Sequence, residues 1–335
     1  MSRIVTDLRS PGMRDRDAMF MRRFREVERV FLTVTSQAGF DEIRTPTLEP
    51  LHLFTSANAL TPQALEEAYS FIDWDGWSGE RVVMRPDVTI SVARWYVENR
   101  DADGSGRVAY VQPAFRFTDR GDRERWQCGV EGIGSDQSVS DVSMIRTAIE
   151  FLEHVGVEKI SIVLAHSKLL RSLLEAGGFS AGEIIDFHES LVDGAAEQII
   201  NTSRLPAEIQ NCLNLLVHPE ATSVDFARNA HSVISSVVEE TNSSMEELIA
   251  ITSALEELGI PFQLQPAAVR PYEYYSGITF NISGETIGVT DKSMSSWILG
   301  GRYDSLIESL GGGSVPAIGW AFDIDTFCQQ VTGSD

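Results

Sequence analysis

The 335-residue sequence has little cysteine and little histidine, and both shortages argue against a metal site. Its three cysteines, Cys128, Cys212 and Cys328, are far apart in sequence and odd in number. That usage predicts neither a disulfide framework nor a zinc site. The six histidines include no pair spaced three or four residues apart. We therefore expect no bound metal and no cofactor.

Long apolar runs are absent as well. No window of about 18 apolar residues occurs, so no segment is expected to span a membrane or bind one. The N-terminal residues 1–17 are charged and lack an apolar core, which argues against a signal peptide. Together with the cysteine usage, these features predict a cytoplasmic protein.

Basic residues are outnumbered by acidic ones. The chain has 27 Lys and Arg against 49 Asp and Glu, which gives a net charge of −22. A surface of that charge repels a phosphate backbone, so nucleic acid is not an expected partner. The excess is concentrated in residues 171–260, where 15 acidic residues stand against three Arg and no Lys.

The hydrophobic pattern predicts an α+β fold in which an antiparallel sheet is flanked by helices. Strand patterns cluster towards both ends of the chain, and an amphipathic helix is predicted over 18–38. The predicted divisions are a first part over 1–165, an acidic and mainly helical insertion over 166–260, and a last part over 261–335.

Three local patterns mark predicted boundaries. Ser243 and Ser244 precede Glu246 and Glu247 at the spacing of a capping box, which predicts the start of a helix. Residues 272–282 are predicted to form a strand. Gly300-Gly301 is predicted to be a turn before a helix near 303–310.

Polar residues on a predicted strand give the first candidate site. Gln127, Gly129 and Glu131 alternate, so they share one face, and the glycine leaves room above it. This pattern indicates the polar floor of a cleft, although a solvent-facing strand side has the same pattern. Arg116 follows the preceding strand, and residues 84–89 mix charge with apolar residues in a similar way.

A third mixed stretch covers residues 270–277. Strand alternation would place Arg270, Tyr272 and Tyr274 on one face, and Glu273 and Tyr275 on the other. Paired tyrosines in a strand are usually part of a core. Each of the three stretches is weak evidence by itself, and their order along the chain is more informative.

In that order the motifs resemble the histidyl-tRNA synthetases, a family of class II aminoacyl-tRNA synthetases, over about residues 11–327. Residues 39–46 are similar to the dimer-forming first class motif, and residues 85–89 to the family's Arg-Pro-Glu-Gly-Thr. The second class motif includes Phe115-Arg116 and Gln127 to Glu131. Two further blocks match, namely Arg270 with Tyr274-Tyr275-Ser276-Gly277, and Gly300-Gly301-Arg302-Tyr303-Asp304. The resemblance implies a class II synthetase-like core interrupted by the helical insertion.

The sequence departs from the synthetases where ATP would bind. Thr326 stands where the third motif has the arginine that packs on adenine, Asp323 replaces a glycine, and Thr118 replaces a glutamate. Losing the cation and adding a carboxylate both disfavour a triphosphate. Only nine residues follow Thr326, so no anticodon-binding domain is expected, and the acidic insertion would repel tRNA.

A chain with these departures resembles the ATP phosphoribosyltransferase regulatory subunits, a family of synthetase paralogues. That resemblance implies a subunit without catalytic residues, which activates a short-form catalytic subunit in the first step of histidine biosynthesis. It also implies L-histidine as a feedback effector, and a homodimer within a hetero-oligomer. The alternatives are a working histidyl-tRNA synthetase, a stand-alone histidine-activating paralogue and a purely structural accessory protein.

The resemblance also implies a set of histidine-binding residues. The ligand's ammonium needs acceptors, its carboxylate needs a cation, and its imidazole needs a partner at each nitrogen. The expected residues are Asp87, Thr89 and Gln127 for the ammonium, Arg116 and Arg270 for the carboxylate, and Glu131 with Tyr275 for the imidazole, with Tyr274 beside them. Strand alternation separates Arg270 from Tyr275, so a bulge near Pro271 would be needed for both to reach one ligand.

Overall fold

The computed structural model describes residues 8–56, 65–74, 76–99, 106–118, 121–134, 140–193, 196–217, 221–265, 274–288 and 294–332. Its strands are β1 (Asp41–Glu42), β2 (Leu48–Pro50), β3 (Ser70–Trp74), β4 (Gly79–Met84), β5 (Gly106–Phe115), β6 (Glu124–Ile133), β7 (Val157–His166), β8 (Phe262–Leu264), β9 (Ile278–Thr286), β10 (Ser295–Arg302) and β11 (Ala317–Asp323). Eight strands form one sheet in the order β1-β5-β6-β11-β10-β9-β7-β8, and β2-β4-β3 form a second, smaller sheet.

The large sheet is antiparallel except at its two edges. There β1 pairs with β5, and β8 with β7, in the parallel sense. The predicted α+β class is confirmed, and the sheet is mixed because each parallel pair, β1–β5 and β7–β8, is joined by a connection that contains helices.

The α-helices are α1 (Ala18–Gln37), α2 (Leu51–Ser56), α3 (Val88–Asn99), α4 (Asp141–His154), α5 (Ser167–Ala176), α6 (Ala181–Asp193), α7 (Ala196–Thr202), α8 (Ala207–Leu216), α9 (Val224–Val237), α10 (Asn242–Glu257), α11 (Asp304–Ser309) and α12 (Ile324–Thr332). The predicted first helix is confirmed. Asp17 accepts a hydrogen bond from the Phe20 amide at its start, and Gly39 follows its end with a φ of +80°. None of the described helices is long and apolar enough to cross a membrane.

Large aromatic residues cover the back face of the large sheet. Trp320 of β11 contacts Phe31 of α1 edge-on and stacks on Phe151 of α4, with ring centroids 5.9 and 6.0 Å apart. Side chains alternate across a strand, so the neighbours of these aromatic residues point to the front face. There β6 and β11 carry Gly129, Glu131 and small residues, which lets side chains from neighbouring elements reach over the sheet.

Helices α5 to α10 lie between β7 and β8 and share one continuous hydrophobic core with the back of the sheet. A polar contact ties them to the sheet. Buried His166 at the end of β7 accepts a hydrogen bond from the Leu169 amide through Nδ1, and its Nε2 lies 3.0 Å from Glu247 of α10. The limits of 166–260 for an insertion stay a prediction.

Three predicted boundaries differ from the structure. Residues 300–301 belong to β10, where they pair with β9 and β11, and do not form a turn. Strand β9 begins only at Ile278, so Tyr274 and Tyr275 precede it. Helix α10 begins at Asn242 without a side-chain cap at Thr241, because a 3₁₀ helix over 239–241 leads directly into it.

All three cysteines are buried, and none of them forms a disulfide in the part of the chain that the structure describes. Burial raises the pKa of Cys128 well above its usual value and the pKa of Cys328 to about 12. Cys128 points to the back of β6, Cys212 lies on α8, and Cys328 lies on α12.

Candidate functional site

Glu131 is the centre of the front-face site. It lies on β6 opposite Gly319 of β11, and its side chain is fully buried. Thr89 of α3 donates a hydroxyl hydrogen bond to Oε1 at 2.7 Å. Tyr303, which follows β10, donates to Oε2 at 2.6 Å. Residues from three separate parts of the chain therefore meet at one carboxyl group.

The environment of Glu131 favours its protonated form. Burial raises the pKa of Glu131 from 4.5 to about 8, and the hydrogen bonds from Tyr303 and Thr89 offset part of the rise. The charge of Asp87 raises this pKa further. A carboxyl group in this state can either donate or accept one proton near neutral pH, which suits an imidazole partner.

Two glycines make room for the polar side chains of the site, one for Glu131 and one for Tyr110. A Cβ at Gly319 would overlap the Glu131 carboxylate. A Cβ at Gly129 would overlap the Tyr110 hydroxyl, which reaches across from β5. The predicted sharing of one face by Gln127, Gly129 and Glu131 agrees with the unbroken ladder of β6. The predicted room above Gly129 is wrong, because Tyr110 fills it.

Asp87 and Arg116 form the neighbouring part of the site. Asp87 is buried just before α3, where it accepts a hydrogen bond from the Ile90 amide at 3.1 Å and one from the Tyr274 hydroxyl at 3.4 Å. Burial raises the pKa of Asp87, and the charge of Arg116 partly lowers it again. Arg116 itself donates through Nε to the Pro86 carbonyl at 3.1 Å.

An aromatic group closes the site on the side of β10. The rings of Tyr274 and Tyr275 lie 4.9 Å apart, and Tyr274 meets Tyr303 edge-on at 6.0 Å. Tyr275 packs against Gly301, where a Cβ would lie 2.9 Å from its ring. The Ser276 amide donates to the Arg302 carbonyl at 2.8 Å and fixes this segment on β10.

The structure brings most of the expected residues together. Asp87, Thr89, Glu131 and Tyr274 are linked through hydrogen bonds or shared neighbours, with Arg116 and Tyr275 beside them. Gln127 lies four residues before Glu131, on the same face of β6, and it pairs with Asp323 of β11. Its side chain is half-buried. Arg270, and Pro271 where a bulge was expected, lie outside the described residues. The strand alternation that separated Arg270 from Tyr275 does not hold for Tyr275, which precedes β9.

Sequence reasoning missed two tyrosines of the site, Tyr110 and Tyr303. Tyr303 was visible in the matched block with Gly300 and Asp304, but its hydroxyl had no predicted partner. Tyr110 became identifiable only through the β5–β6 register, which places it opposite Gly129.

Carboxylates occupy the end of the site where β6 and β11 meet α12. Asp323 accepts a hydrogen bond from the Thr326 amide at 2.9 Å, so it caps α12. Asp325 is buried and accepts from the Trp126 amide at 2.7 Å, and burial raises its pKa to about 6. Arg16 lies 3.4 Å from Asp325 and is therefore already engaged. Thr326 is exposed and offers no cation.

Comparisons with known proteins point to one family. The sequence profile named histidyl-tRNA synthetase matches residues 12–327. An ATP phosphoribosyltransferase regulatory subunit of Dehalococcoides mccartyi is 36% identical over 319 residues, which cover 94% of this chain and 75% of that protein. A histidine–tRNA ligase of Lacticaseibacillus casei is 29% identical over 323 residues, which cover 93% of this chain and 71% of that protein.

Solved structures share the fold. A Bacillus halodurans protein described as an ATP phosphoribosyltransferase regulatory subunit/histidyl-tRNA synthetase has a TM-score of 0.81 at 22% identity, over 99% of this chain and 84% of that one. A histidine–tRNA ligase subunit from Alicyclobacillus acidocaldarius has a TM-score of 0.76 at 24% identity, over 97% of both chains. Both likenesses agree with the predicted class II synthetase-like fold.

Proposed function

The chain belongs to the histidyl-tRNA synthetase family and, within it, to the ATP phosphoribosyltransferase regulatory subunits, and from this membership we propose that it regulates a short-form catalytic subunit of ATP phosphoribosyltransferase. In this proposal the chain binds L-histidine, performs no chemistry itself, and adjusts the first step of histidine biosynthesis to the histidine supply. It acts as a homodimer, built through the first class motif, within a hetero-oligomer.

The buried Glu131 carboxyl group is the observation that supports histidine as the ligand. Its two oxygens are already held by Thr89 and Tyr303, so it is fixed in position before a ligand arrives. An imidazole can share a proton with it, because a carboxyl group with a pKa near 8 and an imidazole with a pKa of about 6.5 are closely matched. Asp87 and Arg116 supply opposite charges for the ammonium and carboxylate of the same amino acid.

A regulatory role is supported by the carboxylates at the opposite end of the site. Asp323 and Asp325 lie at the start of α12, where the synthetase resemblance places adenine and phosphate contacts. Phosphate groups are repelled by carboxylates and favoured by arginine. A chain that keeps an amino-acid site beside such a surface is suited to sensing the amino acid rather than activating it.

Two measurements test the proposal. Isothermal titration should show binding of L-histidine by the wild type, with an affinity at least tenfold weaker for Glu131→Ala, since a lost hydrogen bond to a charged group costs about 1.5–3 kcal/mol. Size-exclusion chromatography should show co-elution with the short catalytic subunit, whose turnover should rise in the complex. Equal histidine affinity in wild type and Glu131→Ala would remove the site assignment. Absence of co-elution and of activation at micromolar concentration would remove the regulatory role.

Histidine and the catalytic substrates should also oppose each other in the complex. If histidine favours an inhibited assembly, substrates that favour the active assembly must weaken histidine binding by the same factor, because coupling between sites is reciprocal. Titrating histidine into the complex with and without phosphoribosyl pyrophosphate measures that factor. An unchanged histidine affinity would mean that feedback does not pass through this chain.

A further inference from the structure

Among the described residues no strand pairs with the outer side of β3, so the small sheet of β2, β4 and β3 ends there in an open edge. In the order β2-β4-β3, the strand β3 is the outermost, and each of its five residues is exposed. Natural proteins usually protect such an edge with lysine, proline, a bulge or a covering segment. Residues 70–74 contain neither lysine nor proline, and their pairing with β4 has no register shift.

The hydrogen-bonding pattern shows which backbone groups face outward. The Met84 amide donates to the Tyr69 carbonyl at 2.9 Å, so these two residues form a hydrogen-bonded pair. Such pairs alternate with non-bonded pairs along an antiparallel ladder. Ser70, Ile72 and Trp74 therefore turn their amides and carbonyls away from β4, towards the open edge.

Large apolar side chains stand along the same edge. Phe71 is 45% exposed, Ile72 56% and Trp74 65%. Leu48 of β2 shares the face of Phe71 across the sheet and is 44% exposed. Apolar exposure of this kind, concentrated on one small sheet, is typical of an interaction surface.

The carboxylates beside this edge favour a different partner over a second copy of this chain. Asp73 and Glu80 lie directly opposite each other on β3 and β4, which places two like charges side by side. His52 lies beside this pair, with Nδ1 4.0 Å from Glu80, and it carries charge only when protonated. A second copy paired antiparallel about Ile72 would add another Asp73 and Glu80 nearby, from a chain that also has a net charge of −22.

We propose that the open edge of β3 binds an extended segment of the catalytic subunit, added as a fourth strand to the small sheet. The segment carries apolar residues against Ile72 and Trp74, and a lysine or arginine against Asp73 and Glu80. Main-chain hydrogen bonds to Ser70, Ile72 and Trp74 provide affinity, and the side-chain contacts provide specificity. This inference rests on the proposed function, because it assigns the surface through which the regulatory role is exerted.

The test compares two substitutions of Ile72 in the full-length protein. Ile72→Pro removes a backbone amide that faces the open edge. The hydrogen bonds between β3 and β4 stay complete, because the amide of residue 72 takes no part in them. Ile72→Thr keeps the amide and the β-branched shape, and so is the matched control. Titration with L-histidine reports that each variant retains its fold and its remote histidine site. The affinity for the purified catalytic subunit is then measured by biolayer interferometry.

We expect Ile72→Pro to weaken the affinity for the catalytic subunit about tenfold or more, and Ile72→Thr to change it by less than about threefold. A double variant, Asp73→Asn with Glu80→Gln, should weaken it as well and reduce its dependence on salt. Should Ile72→Pro fail to fold, the double variant and Trp74→Ser test the same edge.

Two results would overturn the inference while leaving the proposed function intact. One is an unchanged affinity for the catalytic subunit in Ile72→Pro and in the double variant. The other is dissociation of a homodimer by Ile72→Pro without a change in that affinity, which would assign the edge to a second copy. If the wild type itself does not bind the catalytic subunit, the inference and the proposed function both fail.

Discussion

Glu131 is held by Thr89 and Tyr303 in a space from which water is excluded, and its behaviour with pH follows from that setting. Between the imidazole pKa of about 6.5 and the Glu131 pKa of about 8, the free partners carry one proton between them, which is also what their complex needs. Below this window the complex must release a proton, and above it the complex must take one up. We expect histidine affinity to be highest between about pH 6.5 and pH 8 and to fall on both sides.

The control for this pH profile is Glu131→Gln. Glutamine keeps the shape and cannot titrate, so the fall in affinity above pH 8 should be reduced to that caused by the ligand's own amino group. Isothermal titrations of both proteins from pH 5.5 to pH 9 give the comparison. Parallel profiles in the two proteins would show that Glu131 does not share a proton with the ligand.

The Glu131 carboxylate lies directly over Gly319. Its alanine variant would place a methyl group where the Glu131 carboxylate lies, and the backbone of β11 leaves little freedom to move. We expect Gly319→Ala to abolish measurable histidine binding and to lower the thermal midpoint by several degrees, as overpacking costs about 1–3 kcal/mol. Gly182→Ala, in the open surroundings of α6, is the control; it should leave histidine binding unchanged and should not lower the midpoint, because alanine favours a helix more than glycine does. Histidine binding by Gly319→Ala at wild-type affinity would contradict the site geometry.

Single residues also show what the sequence could and could not provide. The alternation of Gln127, Gly129 and Glu131 was predictable because one regular strand carries all three. Tyr110 was not, because its place above Gly129 depends on the register between two strands. The alternation assumed for Tyr275 was wrong, because strand propensity does not show where a strand begins.

At the level of elements, the contact between His166 and Glu247 joins the middle helices to the sheet. Glu247 lies on α10 and His166 at the end of β7, and hydrogen bonding to His166 lowers the pKa of Glu247. Beside them Ser167 donates to the Gly277 carbonyl at 3.0 Å, at the segment that carries Tyr275. This arrangement connects the helices to one wall of the proposed histidine site.

Removing that contact should loosen the helix at one end. We expect Glu247→Ala to increase amide hydrogen exchange in the first turns of α10 and over residues 166–169, since a partly exposed hydrogen bond contributes about 1 kcal/mol. Glu246→Ala is the matched control, because the hydrogen bond of Glu246 among the described residues comes from Asn242 of its own helix, at the surface. Equal exchange in the two variants would mean that the contact does not hold α10 on the sheet.

The start of α10 shows why this element was only partly predictable. A capping-box spacing is a local pattern, and Ser244 satisfies it in the sequence. In the structure Ser244 is buried inside the helix, which begins earlier because the 3₁₀ helix over 239–241 continues into it. The local pattern therefore predicted that a helix forms here but not its first residue.

For the whole molecule, the departures from the synthetase motifs at Thr326 and Asp323 lead to a further prediction. The protein should not form histidyl-adenylate, because Thr326 is exposed and uncharged and Asp323 adds a carboxylate beside it. Pyrophosphate exchange that depends on both ATP and histidine is the assay, with a histidyl-tRNA synthetase as the positive control. Exchange above the level without protein would replace the regulatory role with an activating one.

The fold of the whole chain was predictable from the order of its motifs more than from any single pattern. Strand signals near both ends and helical signals between them gave the α+β class, while the parallel edge pairs β1–β5 and β7–β8 depend on long-range pairing that no local pattern encodes. Residues 12–327 match one family because the motifs keep their order over that length.

The three buried thiols have a kinetic consequence. A thiolate reacts with an alkylating reagent, and Cys128, Cys212 and Cys328 are all enclosed, so each must wait for its surroundings to open. The reaction rate of each thiol therefore reports how often its region opens: the sheet behind the proposed histidine site, the middle helices, or the last helix. Saturating L-histidine should slow the alkylation of Cys128 more than that of Cys212, as followed by mass spectrometry of the labelled peptides. Equal slowing at both would show that the sheet and the helices open as one unit.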